Sequence, residues 1–181
     1  MKQEYNIIAF SENHIGLLNR LTNVFTRRKV NIESLTVSAS AISGISKFTI
    51  VIHSTKEQVS KIVQQIEKQI DVLKAFYHTN DEIIYQELAL YKVSTDALTE
   101  GNQIETLVRK YNARILEITK DYTVIEKTGH NDETQAFFEE LNQFEVMQFI
   151  RTGRVAITRS KVERLSNFLR ERDEYNSETD I

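Results

Sequence analysis

Up to His78 the apolar residues switch between strand-like and helix-like spacing in the order strand, helix, strand, strand, helix, strand, and no other feature constrains the fold as much. Tyr5 to Phe10 is a short β-type run that ends in a Ser-Glu-Asn turn. From Ile15 the spacing becomes helical, with Leu17, Leu18, Leu21, Val24 and Phe25 on one stripe. Asn31 to Ser40 and the β-branched run Ile45 to His53 flank Ser43 and Gly44, which predicts a hairpin. Ser54 to Gln58 supplies helix N-cap residues, and Val59, Ile62, Val63, Ile66 and Ile70 follow as an amphipathic face. Val72 to His78 returns as a strand. This is the ferredoxin-like βαββαβ order.

The same order recurs with different residues. Glu87 to Ser94 reads as a strand, and Ile104, Leu107, Val108 and Tyr111 as a helix face. Ala113 to Thr119 and Tyr122 to Lys127 form a hairpin around Lys120 and Asp121. Asn131 to Phe144 reads as a helix with Phe137, Leu141 and Phe144 inward, and Glu145 to Ile150 as the last strand. The expected organisation is α+β, with two consecutive ferredoxin-like domains over residues 1–79 and 80–158. A charged tail over 159–181 carries one helical stripe, Val162, Leu165, Phe168 and Leu169, before a frayed end.

Composition narrows the function classes. The chain has 181 residues, 40% hydrophobic and 27% charged, with a formal net charge of -3, so there is no bulk attraction to nucleic acid or to an anionic membrane. With no cysteine, thiolate metal sites and cysteine nucleophiles are excluded, and a reducing, cytoplasmic setting is expected. The four histidines, His14, His53, His78 and His130, include no pair at i, i+4, and the five glycines are too scattered to cradle a phosphate. Paired carboxylates such as Glu139 and Glu140 fit a solvated helix face. The basic run Arg27, Arg28 and Lys29 fits a solvated helix C-terminus, where the dipole favours cations. Neither metal, nucleotide nor catalytic chemistry is predicted for this chain.

The segment ENHIGLLNRLTNVFTRRKVNIESLTVS, residues 12–38, resembles the amino-acid-binding ACT domain of the acetolactate synthase (acetohydroxyacid synthase) small regulatory subunits. The likeness continues through IEKQIDVL at 66–73, ELALYKV at 87–93 and TGRVAITRS at 152–160. The resemblance implies a non-catalytic subunit that activates a separate catalytic subunit carrying thiamine diphosphate, FAD and magnesium. It also implies feedback inhibition by a branched-chain amino acid, usually valine, held where two ACT domains of a homodimer pair. A free-standing ACT-type sensor of another enzyme or of a transcription factor is the competing expectation.

By that resemblance the effector site comprises Asn13, Gly16, Asn31 and Ile32, with Asn31 and Ile32 supplied by the partner chain, and His14 and Ile15 at variable positions beside it. A helix N-terminus suits an amino-acid carboxylate because its first N–H groups lack partners and carry the positive dipole end. The residues alone allow a plainer use for each: Asn13 as a cap, Gly16 as a packing glycine, Asn31 as a turn residue, Ile32 as core. Lys29 stands where the resembling family commonly has glycine, which leaves the shape of the loop before Asn31 open.

Overall fold

The computed structural model describes residues 1–96 and 103–161, together with Asn167 and Arg170. The expected tail stripe of Val162, Leu165, Phe168 and Leu169 lies outside the described residues. The chain divides into two compact units, Met1–Ile84 joined by the stretch from Ala156, and Tyr85–Val155. Both are α+β with the predicted element order.

The first unit comprises β1 (Gln3–Glu12), α1 (Leu17–Arg27), β2 (Ser34–Ala39), β3 (Ile45–Ser54), α2 (Lys56–Glu67) and β4 (Val72–His78). Its antiparallel sheet has the order β2-β3-β1-β4. The central strand β1 is buried continuously from Tyr5 to Ala9, as a strand covered on both faces must be. Tyr5, Ile7 and Ala9 face a core made mostly of aliphatic side chains, including Ile50, Ile52, Val59, Ile62 and Ile66. Each fully buried side chain of this size contributes about 1.5–3 kcal/mol relative to exposure. The Asn6 amide, fully buried, donates to Asn80 Oδ1 at 2.8 Å, so its burial leaves no orphan donor. Helix α2 is capped by Thr55, whose hydroxyl accepts from the Gln58 amide.

The second unit comprises β5 (Ile83–Ser94), α3 (Gln103–Lys110), β6 (Arg114–Ile118), β7 (Tyr122–Gly129), α4 (Asn131–Leu141) and β8 (Gln148–Arg151). Its strand order, β6-β7-β5-β8, repeats that of the first sheet. β5 begins at Ile83, upstream of the expected Glu87, so the boundary between the units falls inside it. A further short strand, β9 (Val155–Thr158), pairs with β5 and was not among the expected elements. Helix α4 stops at Leu141, and Asn142–Phe144 tightens into a 3-10 turn before Glu145 takes a φ of +56°. The last strand therefore starts at Gln148, later than the spacing suggests.

The buried core of this unit is mostly aliphatic too, but partly buried aromatic side chains, Tyr111, Phe138, Phe144 and Phe149, pack around it. Tyr91 packs edge-to-face on Phe137 and stacks against Phe149, and its hydroxyl donates to the Thr134 carbonyl at 2.7 Å. Burial pushes its phenol up out of any physiological range. Charged groups are buried as well: Glu87 pairs with Arg154 at 3.2 Å and with Arg151 at 3.5 Å. The Lys127 ammonium donates to the Tyr111 carbonyl at the C-terminal end of α3, where a cation is favoured.

Candidate functional site

The connection from β1 to α1 is held by backbone bonds from two directions. The Glu12 amide donates to the Asp71 carbonyl and the Asn13 amide to the Gly44 carbonyl, both at 2.9 Å. Gly44 itself has a φ of +76° in the β2–β3 turn. Helix α1 starts at Leu17, two residues later than the stripe implies, because Gly16 occupies the N-cap in the left-handed region with a φ of +84°. Only glycine adopts that conformation at little cost. A Cβ added there would meet nothing within 4 Å, so Gly16 is not a packing glycine.

No side chain caps α1. Asn13 is exposed and does not serve as the cap, and among the described residues the Ile15 and Gly16 amides find no acceptor. The first turn therefore presents N–H groups and a positive dipole end to solvent. Ile15 projects its whole side chain outward at 105% relative exposure. His14 turns toward Asp71, with Nδ1 3.0 Å from Oδ1, while Arg20 of α1 holds the other carboxylate oxygen at 2.5 Å. Arg20 and His14 keep the Asp71 carboxyl below its ordinary range. Sequence spacing pointed to neither partner: Asp71 lies 51 residues from Arg20 and sits in a turn with a φ of +74°.

Glu12, His14 and Asp71 each offer one donor atom within 4.8 Å of the others, so this corner could admit a cation. Arg20 already supplies a positive group to Asp71.

Asn31 and Ile32 lie elsewhere. Asn31 is exposed and donates to Glu33 Oε1 at 3.1 Å, while Ile32 is half-buried against the core. The Glu33 amide bonds the Val51 carbonyl, and Ser34 pairs with Val51, which pairs with Asn6. At the other end of the same strands Ala39 pairs with Ser46, and Glu12 with Ile45. Asn13–Gly16 and Asn31–Ile32 are thus separated by about six strand residues, or about 20 Å at the usual rise. One chain does not bring the two halves of the expected site together.

The loop before Asn31 is well defined. The Lys29 amide bonds the Thr26 carbonyl and the Val30 amide bonds the Phe25 carbonyl, both at 3.1 Å, which is the Schellman termination of α1. Lys29, at C′, has a φ of +55°. It adopts the left-handed conformation that glycine would favour, and Val30 still packs on the core.

Comparison with known proteins fits this arrangement. Residues 7–74 match the family described as the AHAS small subunit-like ACT domain, and residues 86–160 match the small subunit of acetolactate synthase. The acetolactate synthase small subunit of Bacillus subtilis is 35% identical over 86% of this chain and 90% of its own length. The probable acetolactate synthase small subunit of Archaeoglobus fulgidus is 33% identical over 86% and 97%. The crystal structure of the acetolactate synthase small subunit from Thermotoga maritima superposes with a TM-score of 0.80 at 29% identity, over 88% of this chain and 99% of that one. With both units matched and relatives aligned over nearly their full length, the chain belongs to the family of acetolactate synthase small subunits.

Proposed function

We propose that this chain is a non-catalytic regulatory subunit that activates a separate acetolactate synthase catalytic subunit and transmits feedback inhibition by a branched-chain amino acid, with valine the first candidate. Thiamine diphosphate, FAD and magnesium belong to the catalytic partner, and the setting is the cytoplasm. Among the described residues no helix is long and apolar enough to cross a membrane. The observation that carries the proposal is the uncapped start of α1. Exposed amides of Ile15 and Gly16 suit the effector carboxylate, Asn13 supplies a side-chain amide, and Ile15 and His14 flank them.

The separation of Asn13 from Asn31 along the sheet supports a site shared by two copies. In such a homodimer Asn31 and Ile32 of one copy complete the turn of the other. An effector bound there favours one state of the subunit over another, and the coupling to the synthase is about 1–3 kcal/mol if typical.

Reconstitution tests this directly. The chain alone, supplied with the three cofactors, forms no acetolactate, whereas added to its cognate catalytic subunit it raises turnover and makes that turnover sensitive to valine. Light scattering gives a dimer mass. Acetolactate formation by the chain alone, or a monomer mass both with and without valine, overturns the proposal.

A further inference from the structure

A second site lies at the other end of β1 from the open start of α1. A groove of about 460 Å³ sits there beside the first turn of α2, and its lining includes Tyr5 of β1, Lys56 and Val63 of α2, and Ala75 and Tyr77 of β4. Tyr5, Val63 and Ala75 belong to the core of the first unit and Tyr77 packs against it, so the groove opens directly onto that core. Tyr5 and Tyr77 meet edge to face, with ring centroids 5.8 Å apart.

The Tyr5 hydroxyl is left unanswered. Tyr5 is 3% exposed, and its hydroxyl has no hydrogen-bond partner among the described residues. A tyrosine buried that deeply usually finds one. Tyr91 of the second unit, deeper still, donates to the Thr134 carbonyl at 2.7 Å. The Tyr5 hydroxyl is not among the polar atoms sealed from solvent, so it is the groove that it faces. Lys56, the first residue of the 12-residue helix α2, brings an ammonium and Tyr77 a second hydroxyl, neither with a partner among the described residues. The positive dipole end of α2 lies beside them. One acid lines the groove, Glu82, whose Oε2 accepts from the Thr79 amide at 2.9 Å and lies 3.7 Å from His78 Nδ1. Its side chain is 60% exposed, so water weakens the field of its charge.

We propose that this groove binds a small monocarboxylic acid with an apolar body. The carboxylate accepts from the Tyr5 hydroxyl and pairs with the Lys56 ammonium, both bonds strengthened by its charge. The hydrocarbon covers the wall made by Val63, Ala75 and the Tyr77 ring. A single water satisfies the hydroxyl but leaves that wall wet, and a multiply charged anion brings more charge than one lysine balances. The site is independent of the effector reading, because its residues lie at the other end of β1 from Asn13.

The test is calorimetric titration of the full chain with isocaproate in one arm and phenylacetate in the other. At least one binds at millimolar concentration. The tighter arm assigns the body as aliphatic or aromatic, and equal affinities assign recognition to the carboxylate and to apolar area alone. Isocaproamide, which keeps the hydrocarbon and loses the charge, does not bind. Tyr5→Phe removes only the hydroxyl and weakens the tighter acid about tenfold or more, as does Lys56→Gln, since each deletes a charge-assisted bond. Lys120→Gln, an equal change of net charge on the second unit, leaves the affinity unaltered. Circular dichroism checks that Tyr5→Phe folds, and Lys56→Gln, at an exposed position, carries the test if it does not. Absence of binding by both acids at millimolar concentration overturns the proposal, as does an amide that binds as tightly as its acid. An affinity unchanged by Tyr5→Phe and Lys56→Gln but lost in Asn13→Ala places the acid at the open end of α1 and overturns it too.

Discussion

The two units use one backbone bond in the same way and the side chain beside it in opposite ways. After β1, the Asn13 amide bonds the carbonyl of Gly44 in the neighbouring hairpin turn. After β5, the Thr95 amide reaches the carbonyl of Asp121 in the corresponding turn, at 3.4 Å. The Thr95 hydroxyl then closes the corner, bonding the Thr119 carbonyl at 2.9 Å and the Thr123 hydroxyl at 3.1 Å. The Asn13 side chain stays exposed. The backbone bond is what the fold requires at this point, and the side chain is left over. In the second unit it serves stability, and in the first it is available to a ligand.

The helix ends repeat the lesson. α1 and α3 both terminate in a left-handed C′ residue, Lys29 with a φ of +55° and Asn112 with a φ of +49°. The Ala113 amide bonds the Val108 carbonyl as Val30 bonds Phe25. Asparagine tolerates that conformation better than lysine does. The cores differ at their rims: Ile62 and Phe137 are both fully buried among mostly aliphatic neighbours, but the second core alone is ringed by several partly buried aromatics, Tyr111, Phe138, Phe144 and Phe149.

The largest expected effect comes from the cores. Phe137→Ala should cost about 3–5 kcal/mol and Ile62→Ala about 2–5 kcal/mol. Hydrogen exchange should show each loss confined to the unit that carries the substitution. Equal loss of protection in both units would mean that they unfold as one, and the comparison would break.

A smaller pair of changes addresses the two corners. Asn13→Ala should leave thermal stability unchanged while weakening effector binding by about 1.5–3 kcal/mol, or about 10- to 150-fold. Thr95→Ala should do the reverse, costing about 1–2 kcal/mol of stability and leaving the effector titration where it was. If Asn13→Ala lowers stability and spares valine inhibition, the open corner is only a helix start.

Smaller still is the effect at C′. Lys29→Gly should stabilise the chain by about 0.5–1 kcal/mol, the relief of left-handed strain less the extra chain entropy of glycine. Asn112→Gly should be nearly neutral. Denaturant midpoints for the two variants measure the difference.

The smallest effect is pH-dependent. Arg20 and His14 hold the Asp71 carboxyl below its usual range, so the folded state favours its ionised form. That contribution is fully present above the ordinary carboxyl value near about pH 4 and is lost as pH falls through the lower folded value. The stability difference between wild type and Asp71→Asn should stay constant from neutral pH down to about pH 5 and then shrink. A difference that grows toward acid would show that Asp71 is not the group being protonated.

Much of the fold was legible in the residues because it depends on local periodicity. Leu17, Leu21, Val24 and Phe25 are buried along α1, and Val59, Ile62, Val63 and Ile66 along α2, as their spacing predicts. The hairpin turn at Gly44 was equally readable, since glycine supplies its positive φ. β9 was not read, although Val155, Ile157 and Thr158 are β-branched, because a run of four residues is too short for its spacing to separate a strand from a loop. The end of α4 was misplaced because Phe144 still falls on the apolar face after the chain has tightened into a 3-10 turn. At the candidate site, Asn13 and Gly16 were visible through the motif that they share with a family, while Asp71 was invisible.

The sequence by itself determined what propensity and pattern can express: two βαββαβ units, their apolar faces, the glycine at the start of α1 and the absence of a catalytic motif. Tertiary structure decided everything that depends on which distant residues become neighbours. It set Arg20 and His14 on Asp71, gathered Tyr5 and Lys56 into one groove, left α1 uncapped, and placed Asn13 and Asn31 at opposite ends of the sheet. The physical reason is that turns and amphipathic faces are chosen by interactions a few residues apart. Charge pairing and site geometry follow instead from strand register, which exists only once the sheet has assembled.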